Sequence, residues 1–234
     1  MRRDIDKPFL KENVSNYAEI HLKPAAATEH PENDKFVIWI RNPLARFVSA
    51  FNHSKAIIDF DISKLNGETP TLQNCQAPQK IKRKIERGYA FSHEYEELFK
   101  YFDNANALAE SITSSNWGLK SRALELMQHP TEHIYKGIGW YLGNGYFIKM
   151  AKASIIKVGT IESIGDDIND LKQLLSIPLS QSLGHVRQNK SNLPTLPSLT
   201  TPAKKNLRNF LEDTDYSAIE ELKACKLIPD HLYE

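Results

Sequence analysis

Runs and spacings of apolar residues along the chain predict buried strands that lead into amphipathic helices. The clearest run is 36–40, FVIWI, in which five strand-forming residues stand between polar segments. Because the run is continuously apolar rather than alternating, it predicts a strand buried on both faces, as in a parallel sheet. A helix is expected directly afterwards, since Pro43 suits a first helical turn and apolar residues recur at spacings of three and four through Phe51.

The same order of strand and helix occurs again further along the chain. A second buried strand is predicted over 154–159, SIIKVG, and it leads into a helical pattern over 166–175. A shorter strand is predicted at 8–10. Repetition of this order is typical of α/β proteins with a parallel sheet. The predicted fold class is therefore α/β, a single domain over 1–234 with a small parallel sheet flanked by helices.

Most of the chain between the two strongest strands is expected to be a helical insert, at about 60–150. Within it, residues 61–79 contain a glycine and two prolines and are predicted to form a loop. A second loop or lid is expected at 186–202, and the C-terminal lid and helices together cover about 186–224. The individual helices predicted in these regions are 81–101, 105–111, 119–127 and a helical pair over 203–222.

Composition narrows the class of protein without adding a function. Apolar residues make up 41% and charged residues 25% of the 234 residues, which argues against a fibrous or disordered chain. No run approaches the roughly 18–20 apolar residues of a membrane helix, and no signal peptide is visible, so no membrane partner is expected. The balance of 30 basic against 29 acidic residues disfavours a nucleic-acid partner. Cys75 and Cys225 lack CxxC spacing, which favours free thiols and a cytoplasmic location.

Arg41 is the first residue after the predicted strand 36–40, and it is the leading candidate for a binding residue. Ligands of open α/β sheets bind at the carboxyl ends of the strands, and a guanidinium can hold a phosphate through two hydrogen bonds. Ser49, on the second turn of the following helix, can donate a further hydrogen bond. The alternative is structural: Arg41 pairs with a helix or a carboxylate, and Ser49 only packs.

Residues 36–52, FVIWIRNPLARFVSAFN, resemble the 3′-phosphate-binding motif of sulfotransferases that use 3′-phosphoadenosine 5′-phosphosulfate (PAPS). In that family a buried strand runs into Arg-Asp/Asn-Pro, then an Arg, then Ser-Ala-Tyr/Phe. Arg41 and Ser49 stand eight positions apart, as the family's 3′-phosphate ligands do, and Arg46 and 49–51 also fall in register. The resemblance is closest to the carbohydrate-type branch, which includes many bacterial enzymes. It implies a P-loop-like sulfotransferase fold, PAPS as the co-substrate and no metal.

Weaker similarities to the same family extend over about 8–224. The segment 102–109 is similar to a helical segment of these proteins, and 158–162 looks like their VGxxE strand. Residues 133–142 resemble a segment near the family's acceptor cleft, where their aromatic side chains would stack on a sugar. A plain packed core is the alternative for that segment.

The family's loop for the 5′-phosphosulfate, typically Pro-Lys-x-Gly-x-Thr/Ser after the first strand, is matched only in part. The nearest match is 9–16, FLKENVSN, in which Lys11 would be the loop lysine, Ser15 the hydroxyl and Asn16 its neighbour. Glycines of that loop let backbone N–H groups approach the anion, and its lysine stabilises the oxygen that the sulfuryl group leaves. Here the glycines are missing and Glu12 adds a negative charge. The loop is therefore expected to be degenerate, or the chain truncated. In the alternative interpretation, Lys11 is a solvated surface residue.

Sulfuryl transfer also requires a base for the acceptor hydroxyl, and histidine suits that role near neutral pH. In the resembling branch a His or Glu lies upstream of the 3′-phosphate strand. His21 is the first choice here, with Glu29 and His30 as alternatives. Arg187 and Lys190, in the predicted lid, are candidates to close over the nucleotide.

The resemblance implies transfer of a sulfuryl group from PAPS to a hydroxyl acceptor, with a carbohydrate favoured. One alternative is a non-catalytic sulfotransferase-like protein that binds adenosine 3′,5′-bisphosphate (PAP) and has a degenerate 5′ loop. The other is an interaction module whose basic residues at 80–87 bind an anionic polymer. The sequence does not indicate an oligomeric state.

Overall fold

The computed structural model describes residues 24–25, 33–65, 91–130, 133–177 and 198–233. In chain order, its strands and α-helices are β1 (Phe36–Ile40), α1 (Pro43–Leu65), α2 (His93–Phe99), α3 (Ala105–Ser111), α4 (Trp117–Met127), α5 (Ile138–Leu142), α6 (Tyr146–Ala151), β2 (Ile155–Thr160), α7 (Ile164–Leu174), α8 (Thr201–Phe210) and α9 (Ser217–Ala224). Short 3₁₀ turns occur at Gly143–Gly145 and Lys152–Ser154, and a π-helical turn at Glu212–Tyr216.

The chain divides into two compact units. The sheet unit comprises residues 1–41, 141–190 and 217–234. The helical unit comprises residues 42–140 and 191–216. Within the stretches that the structure describes, the sheet unit contains both strands, and the helical unit contains α1 to α4 and α8.

The two described strands of the sheet unit form a parallel pair. Trp39 lies opposite Gly159 and Ile40 opposite Thr160 in the register. The Trp39 ring occupies the space that a β-carbon on Gly159 would need, so a larger residue there would force the ring to move. The ladder continues one step past β2, where the Ile161 N–H donates to the Ile40 carbonyl over 3.0 Å. The α/β class and the small parallel sheet are thus confirmed.

The helical unit has its own hydrophobic core. Phe47 and Phe51 of α1 are fully buried, and the Phe51 ring lies 5.0 Å from that of Phe99. Tyr95 of α2 is also fully buried, and its hydroxyl donates to the Ser54 hydroxyl over 3.2 Å. Because the one polar atom of Tyr95 has this partner, its large ring is buried without an unsatisfied group.

Helix starts in the helical unit follow local capping chemistry. A side-chain oxygen accepts a hydrogen bond from a backbone N–H of the first turn, which satisfies one of the free donors there. The capping residues are Ser92 for α2, Asn104 for α3, Asn116 for α4 and Thr200 for α8.

Some element boundaries differ from the predictions. The helix predicted over 81–101 is wrong at residue 92, because Ser92 is extended and caps α2. The loop predicted at 61–79 begins too early, since α1 continues to Leu65. β2 begins and ends one residue later than predicted. The strand predicted at 8–10 lies outside the described residues.

None of the described helices is long and apolar enough to cross a membrane. The sulfotransferase fold and the single-domain organisation over 1–234 stay predictions.

Candidate functional site

Arg41 lies at the carboxyl end of the parallel pair, as the sequence predicts. It follows Ile40, the last residue of β1, and is half-buried. Hydrogen bonding between Ile40 and Ile161 holds the two chain segments together just where the strands end. The Arg41 guanidinium therefore belongs to the sheet edge at which parallel strands commonly bind ligands.

Two further polar side chains, Glu162 and Tyr233, meet at this edge within the sheet unit. The Tyr233 hydroxyl donates to Glu162 Oε2 over 2.7 Å. Burial raises the pKa of the Tyr233 phenol above its usual value, and the hydrogen bond and charge of Glu162 raise it further. The positive charge of Arg41 and a hydrogen bond with Thr160 act in the opposite direction on that pKa. With a raised pKa, the Tyr233 phenol is a neutral hydrogen-bond donor. Arg41 carries a positive charge at the same edge and can attract an anion.

The turn after β2 is held by Asp167 of α7. Its Oδ2 accepts from the Thr160 N–H over 2.8 Å and from the Ser163 hydroxyl over 2.6 Å. Its Oδ1 pairs with Lys157 Nζ over 2.8 Å, and the same ammonium contacts Asp170 over 2.7 Å. This network fixes the segment that carries Glu162.

Both partners of that ion pair have shifted pKa values. Burial alone would raise the pKa of Asp167, but the hydrogen bonds from Lys157, Ser163 and Thr160 outweigh it and lower the pKa below its usual value. Burial alone would lower the pKa of Lys157, but its hydrogen bonds to Asp167 and Asp170 outweigh that and raise it. The charged pair is therefore the form that the fold favours.

In the helical unit, α1 begins at the Arg-Asn-Pro segment of the motif. Asn42 Oδ1 accepts from the Leu44 N–H over 3.0 Å and from the Ala45 N–H over 3.1 Å. Pro43, at the first helical position, has no N–H that would need a partner. Asn42 and Pro43 thus set the start of the helix on which Ser49 lies.

Arg46, the second arginine of the motif, is a structural residue of the helical unit. Its Nε contacts Asp215 Oδ2 over 3.3 Å, its Nη1 donates to the His133 carbonyl over 2.9 Å and its Nη2 to the Ile134 carbonyl over 3.2 Å. Asp215 is 1% exposed and also accepts from the Gly139 N–H over 2.9 Å. Sequence reasoning missed Asp215, since nothing in the spacing pairs Arg46 with a residue 169 positions away.

Ser49 lies on the second turn of α1 and is half-buried, whereas its neighbours Ala50 and Phe51 belong to the core. One turn further along the helix, the His53 ring lies 5.4 Å from the His133 ring. Among the polar residues of α1, Arg46 thus makes structural contacts, whereas Ser49 and His53 are partly accessible.

The segment predicted to resemble an acceptor cleft, 133–142, is partly core. Ile134 and Ile138 are buried, while Tyr135 is 41% exposed. Lys136 Nζ lies 5.2 Å from the centre of the Trp140 ring. A carboxylate of Asp215 fills the space beside Gly137 that a β-carbon would occupy, so the chain passes close to it there.

The remaining predicted site residues lie outside the part of the chain that the structure describes. They are Lys11, Ser15, Asn16, His21, Glu29, His30, Arg187 and Lys190, together with the basic segment 80–87.

The comparisons with known proteins add no family assignment to this geometry. Neither the protein-family profiles, nor the curated proteins, nor the solved structures contain a match to the chain.

Proposed function

We propose that the chain binds the 3′-phosphate of PAPS through Arg41 and transfers the sulfuryl group to a hydroxyl acceptor, a carbohydrate being favoured. The observation that carries the proposal is the position of Arg41, directly after β1 at the carboxyl end of a parallel pair. This is the common ligand edge of α/β sheets. A guanidinium there matches a phosphate in both charge and hydrogen-bonding geometry.

The separate roles of the other motif residues support this proposal. Asn42 caps α1, Arg46 binds carbonyl groups and Asp215, and Phe51 lies in the core. These structural roles explain why the motif forms a strand, a turn and a helix in this order. They also place Ser49 on the second turn of that helix. The resemblance assigns the 3′-phosphate to Arg41 and Ser49, and the implied fold is the P-loop-like sulfotransferase fold.

The proposed reaction moves one sulfuryl group in line between two oxygens. The acceptor oxygen forms a bond to sulfur while the bond from sulfur to the bridging phosphate oxygen breaks, and PAP leaves. The acceptor proton passes to a base, with His21 as the first choice and Glu29 and His30 as alternatives. As in phosphoryl transfer, positioning and charge stabilisation supply most of the catalysis, so this scheme needs no metal.

The remaining assignments complete the proposed site. Lys11, Ser15 and Asn16 would hold the 5′-phosphosulfate, and Lys11 would stabilise the leaving oxygen. Arg187 and Lys190 would close over the nucleotide.

A second candidate function is PAP binding without catalysis. The composition of 9–16 favours it. This segment lacks the glycines that bring backbone N–H groups close to an anion, and it carries the negatively charged Glu12. Both candidate functions use Arg41 to bind the nucleotide. They differ only in whether the sulfuryl group of PAPS is transferred to an acceptor.

The test of the shared site is a thermal shift with PAP and with 5′-AMP as the ligand control. At 100 times the dissociation constant, binding adds about 2.7 kcal/mol of stability, which is about 5–10 °C for a chain of this size. Arg41→Gln should weaken PAP binding by about 10-fold or more, since it removes a charge-assisted hydrogen bond.

The matched control is Lys35→Gln, which removes an exposed cation at the opposite end of the same strand. It should leave the PAP shift unchanged. No shift at millimolar PAP, or equal losses in the Arg41 and Lys35 variants, would contradict the proposal. Incubation with ³⁵S-labelled PAPS and a panel of glycans then separates the two candidates, because only the enzyme transfers label.

A further inference from the structure

A tyrosine from a distant part of the sequence lies at the edge that carries Arg41. Tyr233 donates to Glu162 over 2.7 Å, although the two residues are 71 positions apart. Glu162 stands two residues after the end of β2, and Ile161 between them is bonded to Ile40 of β1. The phenol is therefore at the carboxyl edge of the pair, where β1 passes into Arg41.

Defined backbone hydrogen bonds lead the chain from α9 to Tyr233. α9 ends at Ala224, and two residues later Lys226 has a left-handed φ of 56°. The Leu227 N–H donates to the Leu222 carbonyl over 2.9 Å. The chain turns again where the Leu232 N–H donates to the Pro229 carbonyl over 3.1 Å. These hydrogen bonds close the end of α9 and form a turn just before Tyr233, whose hydroxyl reaches Glu162 at the sheet edge.

Tyr233 itself adopts a costly backbone conformation. Its φ is 61°, in the left-handed region that β-carbon sterics disfavour. Its side chain is half-buried, and the hydroxyl is used in the contact with Glu162. The contact at the edge thus has to offset the backbone cost, which marks it as a specific contact of this segment.

We propose that residues 229–233 form a strap across the carboxyl edge of β1 and β2, and that a phosphate reaching Arg41 has to displace Tyr233. This inference rests on the proposed nucleotide function and assigns a regulation to that same site. The apparent affinity for the nucleotide is reduced by the fraction of molecules in which the strap is closed. Any partner that releases the strap would therefore activate binding.

The first test measures the accessibility of Arg41 without any nucleotide. Phenylglyoxal modifies accessible arginines, and peptide mass spectrometry gives the rate at Arg41. The variant is Tyr233→Gly, because glycine adopts the φ of 61° freely and the backbone path is retained. Arg41 should react several-fold faster in the variant, while Arg208, exposed in the helical unit, should react at the same rate in both proteins. An unchanged rate at Arg41 would overturn the strap.

The second test measures PAP affinity by calorimetry. Removing Tyr233 alone would also unmask the Glu162 charge beside the incoming phosphate, so the comparison is made between Glu162→Gln and Glu162→Gln/Tyr233→Gly. The double variant should bind PAP about 3- to 10-fold more tightly than Glu162→Gln alone. This factor corresponds to the free energy of one neutral hydrogen bond, which the strap would otherwise keep.

The two tests separate the strap from the nucleotide function. Equal affinity in the single and double variants would overturn displacement of the strap by a phosphate. If Arg41 becomes reactive in Tyr233→Gly but no protein binds PAP, the proposed function fails and the strap is retained as a cover over Arg41. If PAP binds and Arg41 is equally reactive in both proteins, the strap fails and the proposed function is retained.

Discussion

Arg46 uses its three guanidinium nitrogens for contacts inside the helical unit, so this arginine of the motif is structural. Its partner Asp215 is nearly inaccessible, and the Arg46 side chain itself is only 16% exposed. Buried charges are tolerated when every donor and acceptor has a partner. The fork of the guanidinium is what allows one side chain to reach a carboxylate and three carbonyl groups at once.

Arg46→Lys tests this geometry at constant charge. A lysine ammonium is a point donor that cannot keep the three directions of the guanidinium, so the variant should lose about 2 kcal/mol of unfolding free energy. Urea denaturation followed by circular dichroism measures the loss. The control is Arg208→Lys, since an exposed cation over the Tyr216 ring can be either residue, and it should change stability by less than about 0.5 kcal/mol. Equal stability of Arg46→Lys and the wild type would exclude the structural role.

At the scale of the element, two helices of the sheet unit end in the same way. After α7, Ser176 has a φ of 57° and the Ile177 N–H donates to the Lys172 carbonyl over 2.8 Å. After α9, Lys226 repeats this arrangement with a φ of 56°. These are Schellman ends, in which the left-handed position is usually glycine. Here non-glycine residues occupy that position at some cost in stability.

Lys226→Gly should therefore stabilise the protein, by about 0.5–1 kcal/mol, because it relieves the left-handed conformation of an exposed residue. The midpoint of chemical denaturation reports the change. The matched variant is Lys204→Gly, at an exposed position inside α8, where glycine should instead cost about 1 kcal/mol. If both variants destabilise the protein equally, the helix end after α9 is not strained.

At the scale of the whole molecule, the Lys157–Asp167 pair links folding to pH. The lowered pKa of Asp167 means that the unfolded chain binds more protons near pH 4, so this stabilisation is present above the unfolded value of 3.8 and is lost as pH falls. The raised pKa of Lys157 means that its stabilisation is complete below 10.5 and is lost as pH rises further. The pair therefore contributes fully across the neutral range.

Asp167→Asn should cost about 1–2 kcal/mol at pH 7 and less at pH 3, because below 3.8 the wild type progressively loses the stabilisation from the charged carboxylate. Denaturation curves of both proteins from pH 3 to pH 8 give the difference. Asp166→Asn, at the exposed neighbouring position, is the control and should track the wild type at every pH. A cost for Asp167→Asn that stays constant down to pH 3 would contradict the assignment.

Local interactions determined much of what the sequence alone predicted. The run 36–40 forms β1 and 105–111 forms α3 over the predicted residues, since strand-forming residues and helix periodicity act within a few positions. The predicted burial of β1 on both faces is wrong, because only Ile40 is buried and the other four residues are half-buried. The position of Arg41 after β1 follows from the same local pattern. The prediction is wrong at residue 92, because Ser92 caps α2 and so interrupts an otherwise helical pattern.

Only the tertiary structure decided which distant residues meet. Trp39 over Gly159, Arg46 with Asp215 and Tyr233 with Glu162 are pairs whose members no short-range pattern connects. Each depends on the path of the chain between them and on burial, which makes an unpartnered polar group costly and so selects specific partners. Sequence periodicity therefore located the candidate anion-binding arginine, while folding in three dimensions brought a tyrosine to the same edge.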